Sequence, residues 1–199
     1  MPTSTLFFCQ ESTGLKKLFV LRQPKRKERI LNPVWGRLVY WSDIGEWSGP
    51  AVYLEAQDIS RPIKWNKSLQ PDGVVELERL QQDGHSIVTD KRNHVIHSTL
   101  TSVRNTQLYR TLPHEIGHYV DYLEKVEEPS RHHPDRRTAL EDQYHSRPSK
   151  EKEAFAHRYA DNFRKQKTEE GFLPFDRILD EGNIKQMGMS PEWFTLNSV

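Results

Sequence analysis

Leu112-Pro113-His114-Glu115-Ile116-Gly117-His118-Tyr119-Val120-Asp121 places His-Glu-x-x-His inside an apolar, periodic run. Leu108, Leu112, Ile116, Val120 and Leu123 recur at spacings of three or four, which predicts a helix over 107–126 that either begins near Thr111 or kinks at Pro113. On a helix, residues i and i+4 lie about 40° apart and one turn apart in rise, so both imidazoles can reach one ion. Glu115 lies about 100° round from His114. It cannot share the ligand position, but it can reach a water held at the ion, as a general base must. With nine histidines and 17 glutamates in 199 residues, chance supplies roughly 0.03 such motifs. The plainer alternative is a helix with two ordinary surface histidines.

A catalytic zinc site takes three protein ligands and keeps one position open, so a third donor must come from elsewhere. The metzincins would place Gly at 121 and His at 124, where this chain has Asp121 and Glu124. A second helix is the better source, and Ser149 is a suitable N-cap for one running from Lys150 to about Lys165. On its wheel Glu153, Ala156, His157 and Ala160 fall together, with the alanines small enough to let it lie close to the first helix. Glu151 is about 200° from Glu153 and faces elsewhere. His157 is a rival ligand one turn on, with Asp161 placed to orient its ring. His132, His133 and His145 are further candidates.

These residues carry a resemblance. His-Glu-x-x-His followed some 35 residues later by Glu151-Lys-Glu153-Ala-Phe-Ala-His157-Arg-Tyr-Ala160 resembles the gluzincins, and within them the ImmA/IrrE-type metallopeptidases, which pair an HELGH-like helix with an E-x-E-A-N-x-F-A helix. The match spans His114 to Asp161, with Phe155 where that family has Asn. It implies Zn²⁺ held by His114, His118 and Glu153, with Glu115 as catalytic acid/base. It also implies a protein or peptide substrate lying on an edge strand, for which 94–100, just upstream, is the expected segment. With Glu153 as ligand, His157 is free to donate a hydrogen bond to the oxyanion or the substrate, a catalytic role for which Tyr144, His145 and Tyr159 are alternative donors.

All nine histidines fall between His85 and His157, which places the chemistry in the second half of the chain. Upstream, 4–9 and 15–21 read as a hairpin, Arg22 to Arg29 as a basic loop, and 37–41, 51–56 and 62–65 as strands. Trp35, Trp41, Trp47 and Trp65 lie among those strands as expected filler for a small sheet. A short helix over 74–80 ends near Gly84, 85–89 and 94–100 form a second hairpin, and the proline-containing stretch 127–149 reads as a long loop. The expected fold is α+β. It has a β-rich, tryptophan-containing portion over 1–69 and a zincin-like core over 70–199, where a small mixed sheet packs on two helices.

Leu, Ile, Val and Phe supply about 24% of the residues, just above the roughly 20% below which chains tend to disorder, so the core should be thin. Basic and acidic residues number 29 and 28, for a net charge of +1, which gives nucleic acid no global electrostatic hold. No apolar run approaches a membrane span or a cleaved signal. Cys9 is the only cysteine, so an internal disulfide and a cysteine zinc cluster are both ruled out. The chain suits the cytoplasm, and secretion without a cleaved signal is compatible with it. The expected function is zinc-dependent hydrolysis of a protein substrate. The alternative is a catalytically silent zincin-like module that binds a protein partner.

Overall fold

The computed structural model describes residues 5–9, 17–22, 34–45, 47–176 and 179–194. The chain divides into two compact units, Met1–Gln166 and Lys167–Val199. The first is α+β. Strands β1 (Thr5–Cys9), β2 (Lys17–Arg22), β3 (Gly36–Ile44) and β4 (Trp47–Glu55) form a sheet in the order β1-β2-β4-β3. It is mixed, because β2 runs parallel to β4 while the other pairs are antiparallel. The turn between β3 and β4 uses Gly45 at φ 60°, a left-handed conformation in which a Cβ is strained. Beyond Arg22, the expected basic loop lies outside the described residues, as does the turn between β1 and β2.

A second sheet is antiparallel, in the order β5-β7-β6, from β5 (Ile63–Asn66), β6 (Ser86–Thr89) and β7 (Asn93–His97). Asp90 closes the β6–β7 turn by accepting the backbone N–H groups of Arg92 and Asn93. Helix α1 (Pro71–Gln82) precedes β6. The mixed sheet expected after residue 70 is thus formed by residues 5–55, and the later sheet draws its β5 from before residue 70.

The helical run begins earlier than the spacing predicts. Thr99 and Ser102 form a reciprocal capping box, and helix then continues through α2 (Leu100–Thr106), a π-helical turn (Gln107–Thr111), α3 (Leu112–Tyr122), a second π turn (Leu123–Glu127) and α4 (Glu128–His132). Both π turns end just before a proline. Leu112 N–H bonds Gln107 O and Glu128 N–H bonds Leu123 O, each an i→i−5 bond, and Pro113 and Pro129 come next. A proline ring clashes with the carbonyl four residues back and has no N–H to offer it. Widening the preceding turn relieves that conflict, so the helix passes through both prolines. For the same reason, 127–149 is not a loop: α4, a 3₁₀ turn (Pro134–Arg136) and α5 (Arg137–Ser146) fill most of it, and α6 (Ser149–Glu169) succeeds them.

The core is thin, and tyrosine and alanine supply much of it. Tyr122, Val126 and Tyr144 cluster, while Ala51, Val52, Leu80, Ile96, Ala156 and Ala160 are also buried. Of the tryptophans expected as filler, Trp41 is 63% exposed, while Trp35 and Trp65 are half-buried. In the second unit, α7 (Glu181–Gln186) is capped by the Asp180 side chain, and a 3₁₀ turn covers Pro191–Phe194. Among the described residues, no helix is long and apolar enough to cross a membrane.

Asp121, fully buried, ties α3 to the second π turn and the α5–α6 junction by accepting from Lys125 Nζ at 2.5 Å and Arg147 Nη1 at 2.7 Å. Burial alone would raise its pKa, but these two cations outweigh burial and hold it below the ordinary value. Asp121→Asn should therefore cost about 1.5–2 kcal/mol at neutral pH, the low end for losing hydrogen bonds to a charged group, because Lys125 and Arg147 both reach solvent. That corresponds to a melting temperature roughly 3–8 °C lower. A depressed carboxylate contributes its stability above its unfolded pKa of about 3.9 and loses it as pH falls through the folded value. Melts in chelator from pH 7 to pH 2 should show the gap between wild type and variant closing below about pH 4. A gap that stays constant to pH 2 would make the loss steric.

Candidate metal centre

Helix α3 presents His114 and His118 from one face, with their Nε2 atoms 3.1 Å apart. Helix α6 brings Glu153 opposite them, its Oε2 3.2 Å from His114 Nε2 and its Oε1 3.4 Å from His118 Nε2. Ligands at about 2.0–2.1 Å from a tetrahedral ion are separated by about 3.3–3.4 Å; here each imidazole meets a different oxygen of Glu153, and one donor atom from each of the three residues lies within 4.8 Å of the others. Among the described residues, they form a group that could hold a metal ion. The imidazoles of His114 and His118 hold the Glu153 carboxyl well below the usual carboxylate range, against the opposing effect of burial. It is therefore anionic, as a metal ligand must be.

The helices meet this closely because of Gly117. A Cβ there would lie 3.0 Å from Ala156 Cα, 3.0 Å from Tyr159 Cβ and 3.1 Å from Ala156 O. Ala156 is completely buried at the crossing. Glu151 points elsewhere, 3.6 Å from Arg147. His132 and His133 are exposed, and His145 packs edge-on against Tyr40 and Tyr144, so these three histidines stand apart from the donor group. Tyr144 is buried and directs its hydroxyl to the His118 carbonyl and to Tyr40.

Glu115 is not one of the three donors; its Oε2 accepts the Leu38 backbone N–H of the mixed sheet at 2.7 Å. Burial raises its pKa, although His114, His118 and the Leu38 N–H oppose the rise. Strand β3 is the outermost described strand of its sheet, and Leu38 directs its N–H away from β4 toward α3. This corrects the expectation for 94–100, because β7 lies between β5 and β6 and both its edges are taken. The strand beside the site comes instead from far upstream.

His157 lies against His114, ring centroids 4.4 Å apart, and its Nε2 is 3.2 Å from Arg79 Nη1. A guanidinium can only donate, so His157 Nε2 is an acceptor, and a proton on the neutral ring sits at Nδ1. Burial, then the neighbouring His114 and Arg79, push the His157 pKa down to about 4. Arg79 and His157 belong to a cavity of about 260 Å³ whose walls include Trp35, Trp65, Arg110, His114 and Glu115. Arg110 is committed to Asp83 at 2.6 Å and Glu76 at 2.8 Å. Leu38, Arg79, Arg110 and the two cavity tryptophans are not legible as site residues in the sequence. The one local hint is that Glu76 and Arg79 share a face of α1.

In an exposed helix Gly→Ala gains about 0.5–1 kcal/mol. Gly117→Ala should instead destabilise by about 1–3 kcal/mol, the usual cost of forcing extra volume into a packed contact. Gly73→Ala in α1, where a Cβ would meet only the Leu69 side chain at 3.4 Å or more, should be neutral or stabilising. Chemical denaturation of both variants checks the opposite signs.

Set against protein-family models, curated proteins and solved structures, the chain matches none, and the site's own geometry must carry its reading.

Proposed function

We propose that the protein is a zinc-dependent peptidase. The observation that carries this reading is the placement of Glu115: it lies beside two imidazoles and a carboxylate spaced for one ion, yet it is not one of the donors. Two imidazole nitrogens and one carboxylate are a donor set that zinc takes at catalytic sites, with a further position open. The donor set therefore fits the group, and the resemblance of 114–161 to the gluzincins supports the same choice. Bound by His114, His118 and Glu153, zinc would supply Lewis acidity toward a carbonyl oxygen and a lowered pKa for water.

The chain's own part in hydrolysis falls to Glu115. Leu38 N–H holds Oε2, which fixes the carboxylate and leaves Oε1 to accept a proton from the attacking water and return it to the leaving amine. A pKa raised by burial brings this base closer to neutral pH, where proton transfer in both directions is efficient.

Metal content of purified variants tests the donor set. Wild type should hold about one Zn²⁺ per chain, while His118→Ala and Glu153→Ala should lose it. Glu151→Ala should keep it, because that carboxylate faces Arg147. Full zinc in Glu153→Ala, or its loss in Glu151→Ala, would refute the assignment.

Glu115→Gln isolates the base. Gln keeps the size and still accepts from Leu38, but it has no basic oxygen, so zinc content and melting temperature should hold. Hydrolysis of a peptide library should fall by at least the roughly 10²–10⁴-fold that general-base catalysis supplies. Equal rates for variant and wild type would remove Glu115 from the mechanism. Zinc without cleavage in either would favour a silent binding module.

A further inference from the structure

We infer that the cavity beside the metal centre is a carboxylate-recognition site and that Arg79 is the group that binds the carboxylate. On the peptidase reading, which this assignment of substrate rests on, the preferred substrate carries an acidic side chain or a free chain end next to the cleaved bond. Arg79 is held by an imidazole and not by a carboxylate: its Nη1 donates to His157 Nε2 at 3.2 Å, and because a guanidinium can only donate, that ring nitrogen is the acceptor. A carboxylate anchor would fix the side chain and cancel its charge. An imidazole acceptor fixes the side chain and leaves the charge intact. Among the described residues, no acidic group pairs with Arg79, whereas Arg110 in the same wall is balanced by both Asp83 and Glu76.

The surroundings strengthen that unspent charge. Arg79 is half-buried in a cavity that Trp35 and Trp65 also line, so a charge-assisted bond there is worth more than at an open surface. With Nη1 on His157, the guanidinium keeps Nε and Nη2 for the paired contacts that a planar carboxylate accepts. The chain of contacts sets the position: Arg79 touches His157, and His157 packs on His114. A ligand group on Arg79 is therefore one imidazole removed from the donor group. The volume, about 260 Å³, is near the lower end of the roughly 300–1,000 Å³ of small-ligand pockets, suited to a side chain or a chain terminus. Three carboxylates also line the cavity: Glu76 is paired with Arg110, Glu115 accepts the Leu38 N–H, and Asp161 is solvent-exposed, where a charge is screened.

Peptide binding tests the inference without relying on turnover. The full chain, with and without chelator, is titrated with acetylated, amidated tetrapeptides that differ only in one central residue, Glu, Gln or Lys. An Ala tetrapeptide with a free C-terminus is the fourth ligand. Affinity is read by calorimetry and by tryptophan emission, since Trp35 and Trp65 line the cavity. The Glu peptide or the free-acid peptide should bind about tenfold or more tighter than the Gln peptide, and which of the two does so identifies the source of the carboxylate. Arg79→Gln should abolish that preference, and Arg79→Lys should retain part of it, with circular dichroism confirming the fold of each. Equal affinity for Glu, Gln and free-acid peptides, a preference for Lys, or a preference that survives Arg79→Gln would overturn the assignment. A chain that holds no zinc and cleaves nothing, yet prefers the carboxylate, loses the peptidase reading and keeps this one. A chain that cleaves without such a preference loses this one alone.

Discussion

The contact between Gly117 and Ala156 is the constraint on which the site depends. Two donors on α3 and one on α6 can serve a single ion only if the helix axes approach closely, and any Cβ at 117 would press on Ala156 at 3.0 Å. Ala156 and Ala160 are correspondingly buried on α6, so the crossing is made of backbone and methyl groups. Such a contact offers little apolar area, and its use is positional. It sets Glu153 3.2–3.4 Å from the two imidazoles, a tolerance that a helix shift of about one ångström would destroy.

A chain so short of aliphatic residues must hold that crossing in place by other means. Three fully buried carboxylates do so. Glu55 pairs with Arg22 and Arg37, Asp83 with Arg110 and Arg164, and Asp121 with Lys125 and Arg147. Each links segments far apart in sequence: β4 to β2, α1 to the first π turn and α6, and α3 to the α5–α6 junction. Gln107 in that π turn adds bonds to the carbonyls of Trp35 and Glu55. Buried pairs of this kind add little net stability over apolar packing, but losing one partner is costly. They therefore specify which segments meet more than they strengthen the fold.

What could be read from the sequence depends on the range of the interactions. His114, Glu115, His118 and Glu153 lie on two helices whose phase is a local property, so spacing alone anticipates that His114, His118 and Glu153 face one another. The π turns before Pro113 and Pro129 are not legible there, because a proline reads as a break unless the preceding turn is known to widen. That is why 127–149 reads as a loop. Glu115 is 77 residues from Leu38 and His157 is 78 from Arg79. No local pattern announces a backbone N–H or a lone arginine as a partner across such distances. The misplaced edge strand has the same origin. β7 is adjacent to α2 in sequence, but pairing with β5 and β6 consumes both its edges.

The Leu38–Glu115 bond ties the upstream sheet to the His-Glu-x-x-His motif. Glu115 is the one charged residue of the motif that no metal would neutralise, and burial disfavours its ionised form. A backbone N–H is a donor that cannot itself titrate, and it stabilises the carboxylate without abolishing its basicity. Supplying that donor requires a strand with a free edge facing α3. β3 satisfies the requirement because β4 pairs with its other side. Gly36 lets the start of the strand approach, since a Cβ there would stand 2.9 Å from Thr111 Cγ2 on the π turn. The turn that carries the helix through Pro113 thus also receives the strand that holds the Glu115 carboxylate, and the helical irregularity and the placement of Glu115 are one feature.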